Sequence, residues 1–321
     1  MGDRVIMHVD MNAFYASVAQ HLDPGLRGKA VAVAGDPERR SGIILAKSRE
    51  AKACGVKTAE AIWQAKQKCP DLVVVPPDYA AYKRYSRLAR MIYYGYTDLV
   101  EPFGLDESWI DVTGSLPLFG GDAMLVAREI SERVKSELGL TVSVGISWNK
   151  VFAKLGSDTD PGDGIIAITR ENFRDVAWPM AASEMVYVGP ATMRKLHSAG
   201  YETIGDLAHA GDHFLKRRFG KIGIMLRAFA RGEDASPVKA MDPSKADVDY
   251  AVKGIGNGLT APHDLECDSD VKALVWLLSE SVAQRLREPR MRCRTVSVGA
   301  RFARDLSGYS RQRTLRTPTC L

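Results

Sequence analysis

The feature that most constrains this chain is a strand that ends on a carboxylate. Val5-Ile6-Met7-His8-Val9-Asp10 reads as a short buried strand, and Asn12 to Val18 follows at helical spacing. Farther on, an amphipathic stretch over 79–97 (Tyr79, Tyr82, Tyr85, Leu88, Met91, Ile92) precedes a strand at 99–103. A turn at Gly104-Leu105-Asp106-Glu107 and a strand at 108–112 make a hairpin. A helix over 122–138 and the alternating strand 141–147 complete the order β-α-β-β-α-β, the split βαβ or ferredoxin-like arrangement. The first strand is separated from the long helix by an inserted α/β segment from Lys29 to about Pro77. It holds strands at 30–34 and 43–45, then stretches with Lys/Ala helical spacing.

With 321 residues the chain is too long for one ordinary core, and it divides further. Residues 168–238 read as all-helical with Gly-containing turns, at Val188-Gly189-Pro190 and Phe219-Gly220-Lys221 among others. Residues 239–249 have the composition of a linker. Beyond them the pattern is a strand (251–260), a helix (270–287), an Arg-rich strand (294–303) and a strand opening near Tyr309. It stops at Leu321, which reads as a truncated β-α-β-β unit. The fold class expected is therefore α+β and multidomain.

The net charge of +5 lies in that last segment. Residues 250–321 carry 12 Lys/Arg against 7 Asp/Glu, and ten Arg against two acids fall between Arg285 and Arg316, whereas 1–249 balance at 32 each. Arginine at this density is the usual footprint of a nucleic-acid phosphate backbone. No window approaches the roughly 18 uninterrupted apolar residues of a membrane span, and the N-terminus has no basic, apolar and cleavage regions in series. The five cysteines are widely spaced with no Cys-x-x-Cys, which fits a reducing compartment. A cytoplasmic protein with no membrane partner is expected.

In the ferredoxin-like order the first strand lies beside the hairpin, so Asp10 and the turn pair Asp106-Glu107 converge at one edge of the sheet. Taken singly, an Asp-Glu pair at a turn is most often only a turn, and an Asp at a strand end a helix cap. Together on this topology they favour a metal site. Three adjacent carboxylates repel, and a hard, oxygen-preferring cation relieves that repulsion. Two such ions about 3.5–4 Å apart suit phosphoryl or nucleotidyl transfer.

The motif 10–18 (Asp-Met-Asn-Ala-Phe-Tyr-Ala-Ser-Val) resembles the first metal motif of Y-family DNA polymerases of the DinB/UmuC kind. The stretches 104–114 (Gly-Leu-Asp-Glu-Ser-Trp-Ile-Asp-Val-Thr-Gly) and 144–158 resemble the second and third. The resemblance implies a palm (1–12 and 79–167), fingers (13–78), a helix-hairpin-helix thumb (168–238), a linker (239–249) and an incomplete little finger (250–321). It implies template-directed, low-fidelity extension of a primer 3′-hydroxyl with dNTPs, past DNA damage. Asp10, Asp106 and Glu107 with the carbonyl of Met11 would hold two Mg²⁺ ions, Mn²⁺ being able to substitute. The amides of Asn12, Ala13 and Phe14 would face the triphosphate, and Tyr15 would be the steric gate against a 2′-hydroxyl. Where DinB-like members place Tyr and Arg near the triphosphate, this chain has Arg49 and Lys52. Ala46 replaces a threonine, Asp160 a lysine, and Tyr187 the first hairpin glycine; Ile43 and Leu45, which would roof the nascent base pair, are bulkier than the small residues common there. Primer-template DNA would meet Gly189 and Lys221 of the thumb and Arg292, Arg294, Arg301, Arg311 and Arg313. A monomer is expected, with a sliding clamp bound through a C-terminal segment absent from this chain.

Overall fold

The computed structural model describes residues 3–36, 42–159, 164–241, 254–261, 263–305 and 307–319. Two compact units emerge, Met1–Ala34 with Ile44–Lys245, and Gly35–Ile43 with Ala246–Leu321. Asp160 and residues 242–253, which hold most of the expected linker and the start of the strand at 251–260, lie outside the described residues.

In the first unit β1 (Ile6–Met11) leads into α1 (Phe14–Leu22). The inserted segment follows, with β2 (Val31–Ala34), β3 (Ile44–Lys47), α2 (Arg49–Ala53), α3 (Ile62–Lys68) and β4 (Val73–Val75). These strands form a sheet in the order β3-β2-β4, antiparallel on one side of β2 and parallel on the other. Sequence periodicity missed β4, whose three valines do not alternate. Then come α4 (Tyr79–Tyr94), β5 (Val100–Pro102), β6 (Glu107–Asp111), α5 (Ala123–Leu138), β7 (Val142–Ser147), α6 (Lys150–Thr159) and β8 (Ile165–Ala167). Their sheet runs β5-β6-β1-β7-β8. β1 is flanked antiparallel by β6 and β7, as a split βαβ requires, and β8 is added in parallel beyond β7.

Side chains of the central strands bury one face against α4 and α5, with Val9, Ile92, Ile110, Val126, Ile130 and Val144 in one apolar core. The other face receives α6. That contact depends on Gly145, where an added Cβ would run into the Ala153 carbonyl and the Ser157 amide of α6. Helix and strand backbones thus touch directly, which seats the polar face of α6 against β1.

The helical region contains α7 (Phe173–Val176), α8 (Pro190–His197), α9 (Ile204–His209) and α10 (Asp212–Ala230). It shares a core with α6 through Trp148, Phe152, Phe173 and Leu226. Gly189 is the N-cap of α8 with Pro190 at its first position, a regular helix entry. Tyr187 adopts φ 71°, the left-handed conformation that a glycine takes without penalty. The turn keeps its course at a cost of about 1–2 kcal/mol.

In the second unit, α11 (Asp268–Arg287) precedes the antiparallel pair β9 (Cys293–Arg301) and β10 (Gly308–Thr319). The strand expected over 251–260 is not formed across 254–261. Gly254, Gly256 and Gly258 leave one face of that stretch without side chains, and glycine weakens a strand through backbone entropy. Side-chain bonds hold the segment instead, from Arg285 to the Gly256 carbonyl (3.1 Å) and from Asn257 to Ser281 (2.9 Å). Among the described residues no helix is long and apolar enough to cross a membrane.

Candidate active site

Asp10 stands directly opposite Glu107 in the β1–β6 ladder, so both side chains leave the same face of the sheet. The Met11 amide donates to the Asp106 carbonyl (3.0 Å), which ties the hairpin turn to the end of β1. Burial, reinforced by the charges of Asp106 and Glu107, pushes the Asp10 carboxyl up to about 7. Asp106 is raised as well, by burial first and then by Glu107.

Glu107 behaves oppositely. Its burial would raise it, but the close approach of His8 and the hydrogen bond and charge of Lys154 bring it to about 2. Lys154 Nζ lies 2.6 Å from Glu107 Oε2 and 3.4 Å from Asp158 Oδ2, and His8 Nε2 lies 3.3 Å from the same Glu107 oxygen. His8 Nδ1 meets Ser157 Oγ at 2.7 Å. Lys154 and Ser157 come from α6, the helix brought close by Gly145. Sequence reading singled out neither Lys154 nor His8, because nothing in their local pattern marks an ion pair that tertiary packing creates.

Among the described residues no three His, Cys, Asp or Glu side chains form a closed metal cage. Asp10 and Asp106 line a shared cavity, while Glu107 is turned to Lys154. The donor set still fits a hard divalent cation: half-buried carboxylate oxygens, two of them raised by burial first and then by neighbouring carboxylate charge.

The cavity has a volume of about 380 Å³. Its floor is Asp10, Met11 and Asp106, one side is Ala13, Phe14 and Tyr15, and the facing wall is Leu45, Ala46, Lys47 and Thr58. Tyr15 is stacked on the buried Tyr82 with centroids 4.0 Å apart and planes at 9°. Tyr79 packs edge-on against both rings, and Phe14 tilts against them. Of the amides expected to face an anion, that of Asn12 is already committed to the Thr141 carbonyl (2.9 Å), because Asn12 still follows the strand course beside β7. Ala13 turns the chain with φ 48° and opens α1.

Arg49 and Lys52 lie on α2 and do not line the cavity. Arg49 Nη2 donates to Thr141 Oγ1 at 3.1 Å. Lys47, one strand position from Ala46, lines it instead. In the second unit the β9–β10 register pairs Val296 with Arg313, Val298 with Arg311 and Arg301 with Gly308. Alternation therefore places Arg294, Arg311 and Arg313 on one face and Arg301 on the other. Arg292 precedes the strand, and Gly189 and Lys221 belong to the helical region of the first unit.

The impB/mucB/samB family matches residues 9–158, and that family's C-terminal domain matches 252–321. DNA polymerase IV of Acetivibrio thermocellus is 50% identical over 92% of this chain and 72% of its own length. DNA polymerase IV 1 of Bacillus subtilis is 40% identical, with 98% and 74% covered. A solved Y-family DNA polymerase chimera superposes with a TM-score of 0.84 at 22% identity, covering 98% of this chain and 88% of that one, a likeness of fold. The carboxylates of the β1–β6 ladder, the split βαβ sheet and these matches agree: the chain belongs to the impB/mucB/samB family of Y-family DNA polymerases and is a translesion-type, DNA-directed DNA polymerase of the DinB/UmuC kind.

Proposed function

We propose that the cavity above Asp10 and Asp106 is where a dNTP is joined to a primer 3′-hydroxyl. The observation that carries this reading is Asp10 itself, which burial and two neighbouring carboxylates push up to about 7 at the floor of a cavity walled by aromatic rings. Y-family polymerases use divalent metal ions. Asp10, Asp106 and Glu107, with the Met11 carbonyl, would hold two Mg²⁺, for which Mn²⁺ can substitute. Bound there, the ions supply activation of the 3′-hydroxyl and neutralisation of the departing pyrophosphate. Tyr15 excludes a 2′-hydroxyl, the first amides of α1 face phosphate, and Arg49 and Lys52 add positive charge from α2. Residues 1–12 and 79–167 act as palm, 13–78 as fingers, 168–238 as thumb and 250–321 as little finger. The duplex is gripped without sequence readout by Gly189 and Lys221 and by Arg292, Arg294, Arg301, Arg311 and Arg313, with Arg301 carrying a larger share than Arg311 and Arg313. The polymerase acts as a cytoplasmic monomer on damaged templates, with low fidelity and a sliding clamp as partner.

Primer extension on a defined primer-template, with Mg²⁺ and then with EDTA, tests the reading. Asp106→Ala and Glu107→Ala should each abolish extension while leaving primer-template affinity within a few-fold. Extension at the wild-type rate by either variant overturns it.

A further inference from the structure

Lys47 stands where the cavity calls for a cation. It closes β3, it is half-buried, and its Nζ donates to Thr58 Oγ1 at 3.1 Å, Thr58 being part of the same wall. The strand fixes its Cα, and Thr58 fixes the end of its side chain. Burial and then the neighbouring charge of Lys52 hold Lys47 below the usual lysine range, with Glu60 acting weakly the other way. Glu60 is occupied elsewhere, by an ion pair with Lys68 and by the Lys57 amide.

This wall is the electrostatic counterpart of the floor. Lys47 brings one ammonium group into a wall otherwise made of Leu45, Ala46 and Thr58, opposite in sign to the carboxylates of Asp10 and Asp106, and a bound anion would be held against that charge. Of the cations discussed, Arg49 is engaged with Thr141 and lies on α2 outside the lining, and Lys154 is committed to Glu107.

We infer that Lys47, held in place by Thr58, binds the phosphates of the incoming nucleotide in this chain. The inference rests on the polymerase reading above and deepens it. Lysine suits the task as a compact point charge that needs no planar partner, and a bound polyphosphate would draw Nζ away from the Thr58 hydroxyl. The contact is to phosphate, common to all four dNTPs, so it carries no base preference.

The test is single-nucleotide insertion by the full chain at fixed Mg²⁺, with Lys47→Met, which keeps the aliphatic stem, and Lys47→Arg, which keeps the charge. Lys47→Met should raise KM about tenfold for each of the four dNTPs, with kcat within twofold and primer-template affinity unchanged. Inhibition by inorganic tripolyphosphate should weaken in the same proportion, and Lys47→Arg should recover most of the loss. Thermal melting reports whether Lys47→Met is folded, and Thr58→Val, which removes only the hydroxyl, should give a smaller rise in KM. Unchanged KM and tripolyphosphate inhibition overturn the inference, as does a rise confined to one base. Failure of the wild-type chain to extend a primer would instead overturn the polymerase reading beneath it.

Discussion

Lys154 Nζ sits 2.6 Å from Glu107 Oε2, so one of the three carboxylates at the hairpin edge carries its own internal counter-charge. The ion pair is mostly sheltered, with 16% and 20% of the two side chains exposed. Removing one partner of such a pair leaves an uncompensated charge. Lys154→Met should therefore lower stability in EDTA by about 1–3 kcal/mol, with much of the loss returned by Mg²⁺. Thermal melts of both proteins in EDTA and in Mg²⁺ check this. An equal drop in the two buffers would mean that Lys154 contributes packing alone.

Metal-free stability should depend on pH with a sign set by Asp10. Its folded-state value of about 7 lies above the ordinary 3.8, so between those limits the folded chain holds a proton that the unfolded chain has released. Stability is then lost as pH rises from about 4 to about 7, by at most about 4 kcal/mol. Glu107 works the other way, adding stability above 4.5 that is lost as pH falls towards 2. A divalent cation binds the ionised form, so the stabilisation conferred by Mg²⁺ over EDTA should widen from pH 5 to pH 8. A Tm difference that stays constant across that range would contradict the assignment of Asp10 as a ligand.

The parallel stack of Tyr15 on Tyr82 gives the proposed sugar gate a rigid backing. Tyr15→Ala removes the obstacle and should raise ribonucleotide insertion by about two orders of magnitude relative to dNTP insertion, since exclusion here is steric. Tyr82→Leu keeps the gate but takes away the ring that fixes its tilt, so it should relax discrimination by a smaller factor. Single-nucleotide insertion ratios for dNTP and rNTP measure both. Tyr82→Leu matching wild type would show that Tyr15 needs no backing.

The sheet was legible because β1 and β6 carry short apolar stretches, Val5-Ile6-Met7 and Trp109-Ile110, bounded by polar residues and turn signals, and because carboxylates at strand ends are placed by topology alone. Asp10, Asp106 and Glu107 could therefore be brought together before any coordinates. Lys154 and His8 could not, since their meeting with Glu107 depends on α6 lying against β1 at Gly145, a close approach that periodicity does not reveal. The same limit applies to the nucleotide cation: Arg49 and Lys52 stood out by position in a motif, whereas Lys47 faces the cavity through the course of β3. Over 254–261, residue type suggested a strand, but three glycines at alternate positions removed the side chains that would have held it.

The β9–β10 pairing separates the arginines expected to hold DNA. Arg311 and Arg313 share a face with Val296 and Val298, residues suited to packing, whereas Arg301 shares its face with Thr295, Ser297, Ser310 and Gln312. Hydroxyls, an amide and one guanidinium make the second face the better phosphate surface, because each group can donate to a phosphate oxygen without reading a base. Each phosphate contact to duplex DNA contributes about 0.9 to the slope of log affinity against log salt. Arg301→Ser should thus flatten that slope by about one unit and weaken binding almost equally for unrelated sequences. The double substitution Arg311→Ser with Arg313→Ser removes twice the charge and should change the slope less. Fluorescence anisotropy of a labelled primer-template across a salt series decides between the faces: a larger loss of slope in the double variant would assign the duplex to the valine-bearing face instead.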